Sequence, residues 1–298
     1  MDVINSNKNL TIQVDHELSF YPDSYIDTDN STILRAQDLN TMSDVCVKII
    51  KILGTNDRER EISLERAMSE TKTIGWLSTK TRHVPSLRYT YYDKSAANLY
   101  IVMDWMEGQT LNYYMAKDER RSPNNKFIKW MIELCTILEL FEQRNGSHKD
   151  IKPSNIIIDK EDRLNLIDFN ITSSLANKVE GTPGYRAPEM EPGMAVGSRK
   201  KVDMFAIGVM MYEYYTGKIP IKGKDYAKSS LSDGEEWSRF NEPIYTVPQI
   251  NKDINDIITR CMKRHPDNRY RNIKELKQQL VRVQNFMRNA RKSKGNKR

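Results

Sequence analysis

The stretch SHKDIKPSNIIID, residues 147–159, sets His148, Lys149, Asp150, Lys152 and Asn155 within nine positions, then adds an apolar run and a second Asp. It is too charged for a core strand and too short for a solvated helix face. Residues of these types can supply a proton acceptor, a positive charge and a hard oxygen donor from one loop. Related types recur far away in the chain. Lys48 closes the apolar run VCVK, and Asp168 opens DFN eighteen residues beyond Asp150.

The elements that must hold these residues differ between the two ends of the chain. TILRAQD and SDVCVKII (32–38 and 43–50) have the short β-branched character of strands, with LNTM as the turn between them. DREREISLERAMSETKTIGWL (57–77) carries apolar residues at Ile62, Met68, Ile74 and Leu77 and is predicted as an amphipathic helix. SLRYTYYD and NLYIVMDW suggest a hairpin. After EGQT the character changes. NNKFIKWMIELCTILELFEQRNG (124–146) predicts a helix with a broad apolar face, closed at Asn145-Gly146. Helix then dominates to the end. A strand-rich part before a helix-rich part predicts an α+β chain of two lobes, with the boundary near Met106 to Gly108.

Composition limits the function classes. The chain has 298 residues, 38% hydrophobic and 29% charged, which fits a globular protein rather than a disordered one. The longest apolar run, Met204 to Tyr215, holds Glu213 and is too short to span a bilayer. The Asn-rich start, Met1 to Gln13, has no apolar segment of the signal-peptide kind. Cys46, Cys135 and Cys261 are far apart, which argues against a disulfide framework or a zinc site and fits the cytoplasm or another reducing compartment. The net charge of +7 is concentrated in RNARKSKGNKR at the end, so it speaks of a tail that could meet a polyanion or acidic partner.

Seven segments stand in one order: VCVK (45–48), the acidic helix, HKDIKPSN (148–155), DFN (168–170), GTPGYRAPE (181–189), DMFAIG (203–208) and CMKRHPDNRY (261–270). Over roughly residues 20 to 282 this resembles the eukaryotic-type protein kinase family, serine/threonine type, with a degenerate glycine-rich loop. The resemblance implies a bilobal kinase fold. The N-lobe (1–106) would be an antiparallel sheet plus one helix and the C-lobe (107–282) mainly helical, with a basic tail over 283–298. It implies transfer of the γ-phosphate of ATP, with Mg²⁺, to a protein hydroxyl. Such chemistry asks mainly for charge neutralisation and an in-line attacker.

Residue by residue, the resemblance assigns Lys48 to the α/β-phosphates and a helix glutamate to Lys48. Glu70 is the choice because Ile74 and Leu77 follow it at the family's spacing; Glu61 and Glu65 stay open. Asp150 would take the substrate's hydroxyl proton, Lys152 would steady the γ-phosphate, and Asn155 and Asp168 would hold Mg²⁺. Met103 stands at the gatekeeper position, with Asp104 to Met106 as the hinge for adenine. Thr28, Ser31, Ile33 and Cys46 fall where the family lines the nucleotide. Asp203 would brace the catalytic loop, Arg269 would pair with Glu189, and Thr182 would contact the catalytic loop. His148 and Trp105 are expected as packed residues rather than ligands.

The chain departs from the pattern in places. No glycine precedes Gly54, and IDTDNSTI (26–33) stands where the glycine loop belongs. A Cβ at Ile26, Thr28 and Ser31 hinders the close approach of backbone N–H groups to phosphate, and Asp27 and Asp29 add negative charge. Lys149 replaces an arginine and loses its bidentate fork, which affects control through Thr172, Ser173 and Ser174. Asn170 replaces the glycine of DFG. An active kinase is therefore one expectation, and a pseudokinase serving as scaffold or allosteric activator is the other. A small-molecule kinase fits GTPGYRAPE and Arg269 poorly.

Overall fold

A computed structural model of the chain describes residues 9–13, 16–22, 24–27, 31–116, 125–169, 181–190, 199–220 and 242–295. The chain divides into two compact units, Met1–Glu107 and Gly108–Arg298.

The first unit is an antiparallel sheet with one helix. Its strands are β1 (Asn9–Gln13), β2 (His16–Phe20), β3 (Ile26–Asp27), β4 (Ser31–Asp38), β5 (Ser43–Lys51), β6 (Leu87–Asp93) and β7 (Asn98–Asp104). They lie in the order β1-β2-β4-β5-β7-β6, and β3 also pairs with β4. Alternation decides which side chains go where. Leu34, Ala36, Val45, Val47 and Val102 face one way and are buried, together with Leu18. The intervening residues, including Ile33, Cys46, Lys48 and Met103, face the other way.

The strands β1 and β2 were not anticipated from the sequence. The alternating Leu18 and Phe20 carry the signal, but two strands of five residues beside polar neighbours are hard to separate from loop. Helix α1 (Asp57–Ser78) covers the predicted span. Asn56 caps it by accepting the Glu59 N–H, and the Glu59 carboxylate reaches back to Thr55 N–H at 2.8 Å.

The second unit is mostly helical. A small sheet of β8 (Gln109–Thr110), β9 (Ile156–Ile158) and β10 (Leu164–Leu166) carries the loop of interest. The helices are α2 (Leu111–Ala116), α3 (Asn125–Gln143), α4 (Val202–Thr216), α5 (Pro243–Thr246), α6 (Lys252–Cys261) and α7 (Ile273–Gly295). Helix α3 buries Phe127, Met131, Leu134, Leu138 and Phe141 along one stripe and packs against α7.

Helix α3 ends as a Schellman turn. Gly146 N–H donates to Phe141 O at 2.9 Å and Asn145 N–H to Glu142 O at 2.9 Å. Asn145, not Gly146, takes the left-handed position, with φ of 55°. Helix α4 is buried on nearly all sides. A Cβ on Gly208 would come within 2.7 Å of side-chain carbons of Cys261 and Met262, so glycine there sets how closely α4 approaches the end of α6.

The segment expected as a basic tail over 283–298 is helical as far as Gly295. Helix α7 runs on through Gly295, and Val283, Gln284 and Met287 are buried. Apolar residues at helical spacing carry the fold past residue 282, because their burial outweighs the charge that marks the segment as a tail in sequence. Among the described residues no helix is long and apolar enough to cross a membrane.

Candidate active site

On the first unit, Lys48 and Glu70 meet inside the protein. Lys48 Nζ lies 2.7 Å from Glu70 Oε1, and the two side chains are 3% and 5% exposed. Lys48 projects from β5 on the face opposite the Val45–Val47 core, and Glu70 projects from the buried side of α1. Glu61 and Glu65 are exposed on the same helix. Two ions this far from water persist because each neutralises the other.

The register places further candidates around Lys48. Ile33 sits opposite Lys48 on β4, and Lys48 opposite Ile101 on β7. Cys46 sits opposite Arg35 and Met103. Ser31, Ile33, Cys46, Lys48 and Met103 therefore share one face of the sheet. Met103 is buried, Cys46 half-buried, and Ser31 buried at the first position of β4. Asp104 donates its N–H to Ser86 O at 2.9 Å and accepts from Arg88 Nε at 2.5 Å. Met106 follows, half-buried.

Part of the degenerate loop is visible. Ile26 pairs with Ile33 and Asp27 with Thr32, so β3 and β4 form a narrow hairpin. The Asp27 carboxylate accepts from Thr32 Oγ1 at 2.6 Å and from the Tyr25 hydroxyl, which holds its pKa below the ordinary value. Thr28 and Asp29 lie outside the described residues, as do Asn170, Thr172, Ser173 and Ser174.

On the second unit, the loop before β9 is gripped from below by Asp203, the second residue of α4. Asp203 Oδ2 accepts from His148 N–H and Oδ1 from Lys149 N–H, both at 2.7 Å. Burial pushes the Asp203 carboxyl above its ordinary pKa, against the opposing pull of those N–H groups. The grip bends the backbone. Lys149 has φ of 71°, a left-handed conformation costly for a side chain with a Cβ. Opposite it stands Gly181, φ 83°, where a Cβ would lie 2.7 Å from Lys149 O. This requirement for glycine was not read from the sequence.

His148 is fully buried and uses both ring nitrogens. Nε2 bonds the Asp168 carbonyl, and Nδ1 accepts from Asp150 N–H at 3.4 Å. A carbonyl can only accept, so these partners fit the neutral Nε2–H tautomer. The ring also packs edge-on to Phe141 and Phe169. His148 thus ties Asp150 to Asp168 across the loop.

The polar groups above this base form a closed set. Thr182 Oγ1 donates to Asp150 Oδ1 at 2.6 Å and accepts from Lys152 Nζ at 2.8 Å. Lys152 Nζ lies 3.0 Å from Asp150 Oδ2. Asn155, held by a 3-10 turn that starts at Pro153, donates from Nδ2 to Asp150 O at 2.9 Å. With Nδ2 so used, Oδ1 is the atom of that amide able to ligate a cation. Ile167 N–H donates to Asn155 O at 3.0 Å, which brings the segment leading to Asp168 beside the loop.

Arg269 and Glu189 lock the same unit. Their bidentate pair has N–O distances of 2.7 and 2.8 Å, with both side chains fully buried. Arg269 also donates to the carbonyls of Lys201, Lys263 and Arg264, so all five of its N–H donors are used. Tyr185 donates to Glu213 at 2.5 Å and anchors the segment that carries Thr182 to α4.

These features define a protein kinase domain. The family model for the protein kinase domain matches residues 29–281, and the chain belongs to that family. It is similar to a probable serine/threonine-protein kinase of Clostridium acetobutylicum, 29% identical over 269 residues, covering 86% of this chain and 38% of that protein. It is also similar to the serine/threonine-protein kinase PknB of Mycolicibacterium smegmatis, 26% identical over 270 residues, covering 85% of this chain and 41% of that protein. The chain thus spans about two-fifths of the length of these relatives.

Proposed function

We propose that this domain is a serine/threonine protein kinase that transfers the γ-phosphate of ATP to a protein hydroxyl, with Asp150 as the base. One observation carries this reading: Asp150, Lys152, Asn155 and Thr182 form a mutually bonded cluster, oriented by His148 and Asp203. A scaffold has no need of a carboxylate, an ammonium and a hydroxyl held in contact.

In this reading Asp150 accepts the proton of the attacking hydroxyl and Thr182 positions its carboxylate. Lys152 neutralises charge on the transferring group. Lys48, fixed by Glu70, holds the α/β-phosphates beside Ile33, Cys46 and Met103, and Asp104 to Met106 receive the adenine. Asn155 and Asp168 offer an amide oxygen and a carboxylate, hard donors that suit Mg²⁺, which would neutralise phosphate charge when bound. Among the described residues no three His, Cys, Asp or Glu groups cluster as a metal cage.

The second reading, a pseudokinase acting as scaffold or activator, draws on the hairpin at Ile26–Ile33 and its lack of glycine. Transfer of label from γ-labelled ATP to a generic acceptor protein, beside Asp150→Ala, separates the two. Label transfer lost in the variant supports the enzyme. Equal transfer in the variant refutes Asp150 as base, and no transfer by either protein favours the scaffold. Protein substrates, and a polyanion or acidic partner for the basic residues after Met287, belong to the same proposal.

A further inference from the structure

Arg35 is a half-buried cation. It lies on β4 two residues after Ile33, on the sheet face that carries Cys46, Lys48 and Met103. Its guanidinium lies against two rings, 5.2 Å from the Tyr21 centroid and 4.9 Å from the Trp105 centroid. Nε donates to Asp44 Oδ2 at 3.2 Å, and Nη2 reaches both Asp44 Oδ2 and, at 2.6 Å, Glu107 Oε1.

The partners are themselves tied together. Tyr21 OH donates to Asp44 Oδ1 at 2.9 Å, and Trp105 N–H donates to Asp44 O at 3.3 Å. The backbone of Arg35 is held as firmly as its side chain. Phe20 pairs with Ala36 and Ile26 with Ile33, which leaves Leu34 and Arg35 between the two paired stretches. Tyr21 N–H donates to Arg35 O at 3.1 Å, and Ser24 Oγ takes the Arg35 N–H at 3.0 Å. One residue therefore joins the strand leading into the glycine-free hairpin to Trp105 and Glu107, the last residues before the second unit begins at Gly108.

We infer that Arg35 is a positioning residue for nucleotide, holding the segment Asp104–Glu107 in the shape that receives adenine. The inference rests on the reading of that segment as the hinge. It follows from the missing glycines. Where Cβ atoms keep backbone N–H groups from phosphate, a larger share of nucleotide affinity falls to the adenine end, and a hinge ordered before binding loses less entropy on binding. The planar fork of arginine serves two carboxylates and two rings at once, which the point charge of lysine does not.

The test measures ATP and adenosine binding by calorimetry on the full chain, for the wild type, Arg35→Leu, Arg35→Lys and Glu107→Gln. Arg35→Leu is expected to weaken both ligands by the same factor, roughly five-fold, as for a partly exposed ion-pair network with cation–π contacts. Arg35→Lys should recover part of that loss. Glu107→Gln, whose parent side chain is 66% exposed, leaves the core intact and should weaken both ligands by roughly two-fold. Equal affinities in wild type and variants, or loss for ATP with none for adenosine, would overturn the inference while leaving the kinase reading standing. A wild type that binds neither ligand would instead sink the nucleotide reading, and this inference with it.

Discussion

Glu70 Oε1 stands 2.7 Å from Lys48 Nζ across the interface of α1 with the sheet, and both groups are nearly sealed from water. Neither charge is tolerable there without the other. Glu70→Ala should therefore destabilise the protein by about 3–5 kcal/mol, because it strands the lysine charge. The double variant Lys48→Met with Glu70→Leu should recover most of that loss and still fail to transfer phosphate. Urea denaturation of Glu70→Ala and of the double variant checks the stability claim, and label transfer checks the activity.

Thr182 donates to the carboxylate proposed as base and accepts from the ammonium beside it. A hydrogen bond to a charged group contributes about 1.5–3 kcal/mol. Thr182→Val should lower the phosphorylation rate about 10- to 100-fold while the protein still folds. Thr182→Ser keeps the hydroxyl and should restore most of the rate. A valine variant at full rate would show that the contact does no catalytic work.

Asp203 predicts a pH dependence of stability. Its folded pKa is raised by burial, so the folded state holds the proton more tightly than the unfolded one. Its stabilising contribution is then full below the unfolded value of about 3.9 and declines as pH rises through the folded value. The stability of Asp203→Asn relative to wild type should accordingly improve as pH rises above about 4. Denaturant midpoints for the pair across this range decide it, and a gap that stays constant would refute the assignment. Because asparagine accepts only one of the two N–H bonds now made to Asp203, the variant should also lose phosphate transfer.

Arg269 gives a sharper test of geometry than of charge. Its five donors meet Glu189 and three carbonyls in full burial. Lysine keeps the charge but offers three donors from one point. Arg269→Lys should cost about 3–5 kcal/mol, close to the cost of breaking a buried pair outright. Thermal unfolding of the variant measures it.

The end of α7 separates packing from charge. Truncation after Met287 removes basic residues while keeping Val283 and Met287, and should leave folding and peptide phosphorylation unchanged. Truncation after Arg282 also removes those two buried side chains and should cost about 3–5 kcal/mol. Melting temperatures of the two truncations, with polyanion binding measured for the first, distinguish the roles.

Local pattern alone determined much of this protein. Short β-branched runs marked β4 and β5, a hairpin pattern marked β6 and β7, amphipathic patterning marked α1, a broad apolar face marked α3, and the ordered segments around Lys48, Asp150, Asp168, Glu189 and Arg269 pointed to a kinase domain. Such features are written in neighbouring residues, because strand and helix periods and metal- or phosphate-seeking side chains need no distant partner to be recognised. Other features were settled only in three dimensions. Glu61, Glu65 and Glu70 are chemically alike in sequence, and Glu70 meets Lys48 because it alone of the three is buried. The left-handed Lys149, the glycine required at position 181, the clamp of Arg35 on Trp105 and Glu107, and the helical course of residues 283–295 belong to this second group. Each depends on atoms brought together from residues far apart in the chain, or on burial outweighing charge, and neither can be read from a residue and its immediate neighbours.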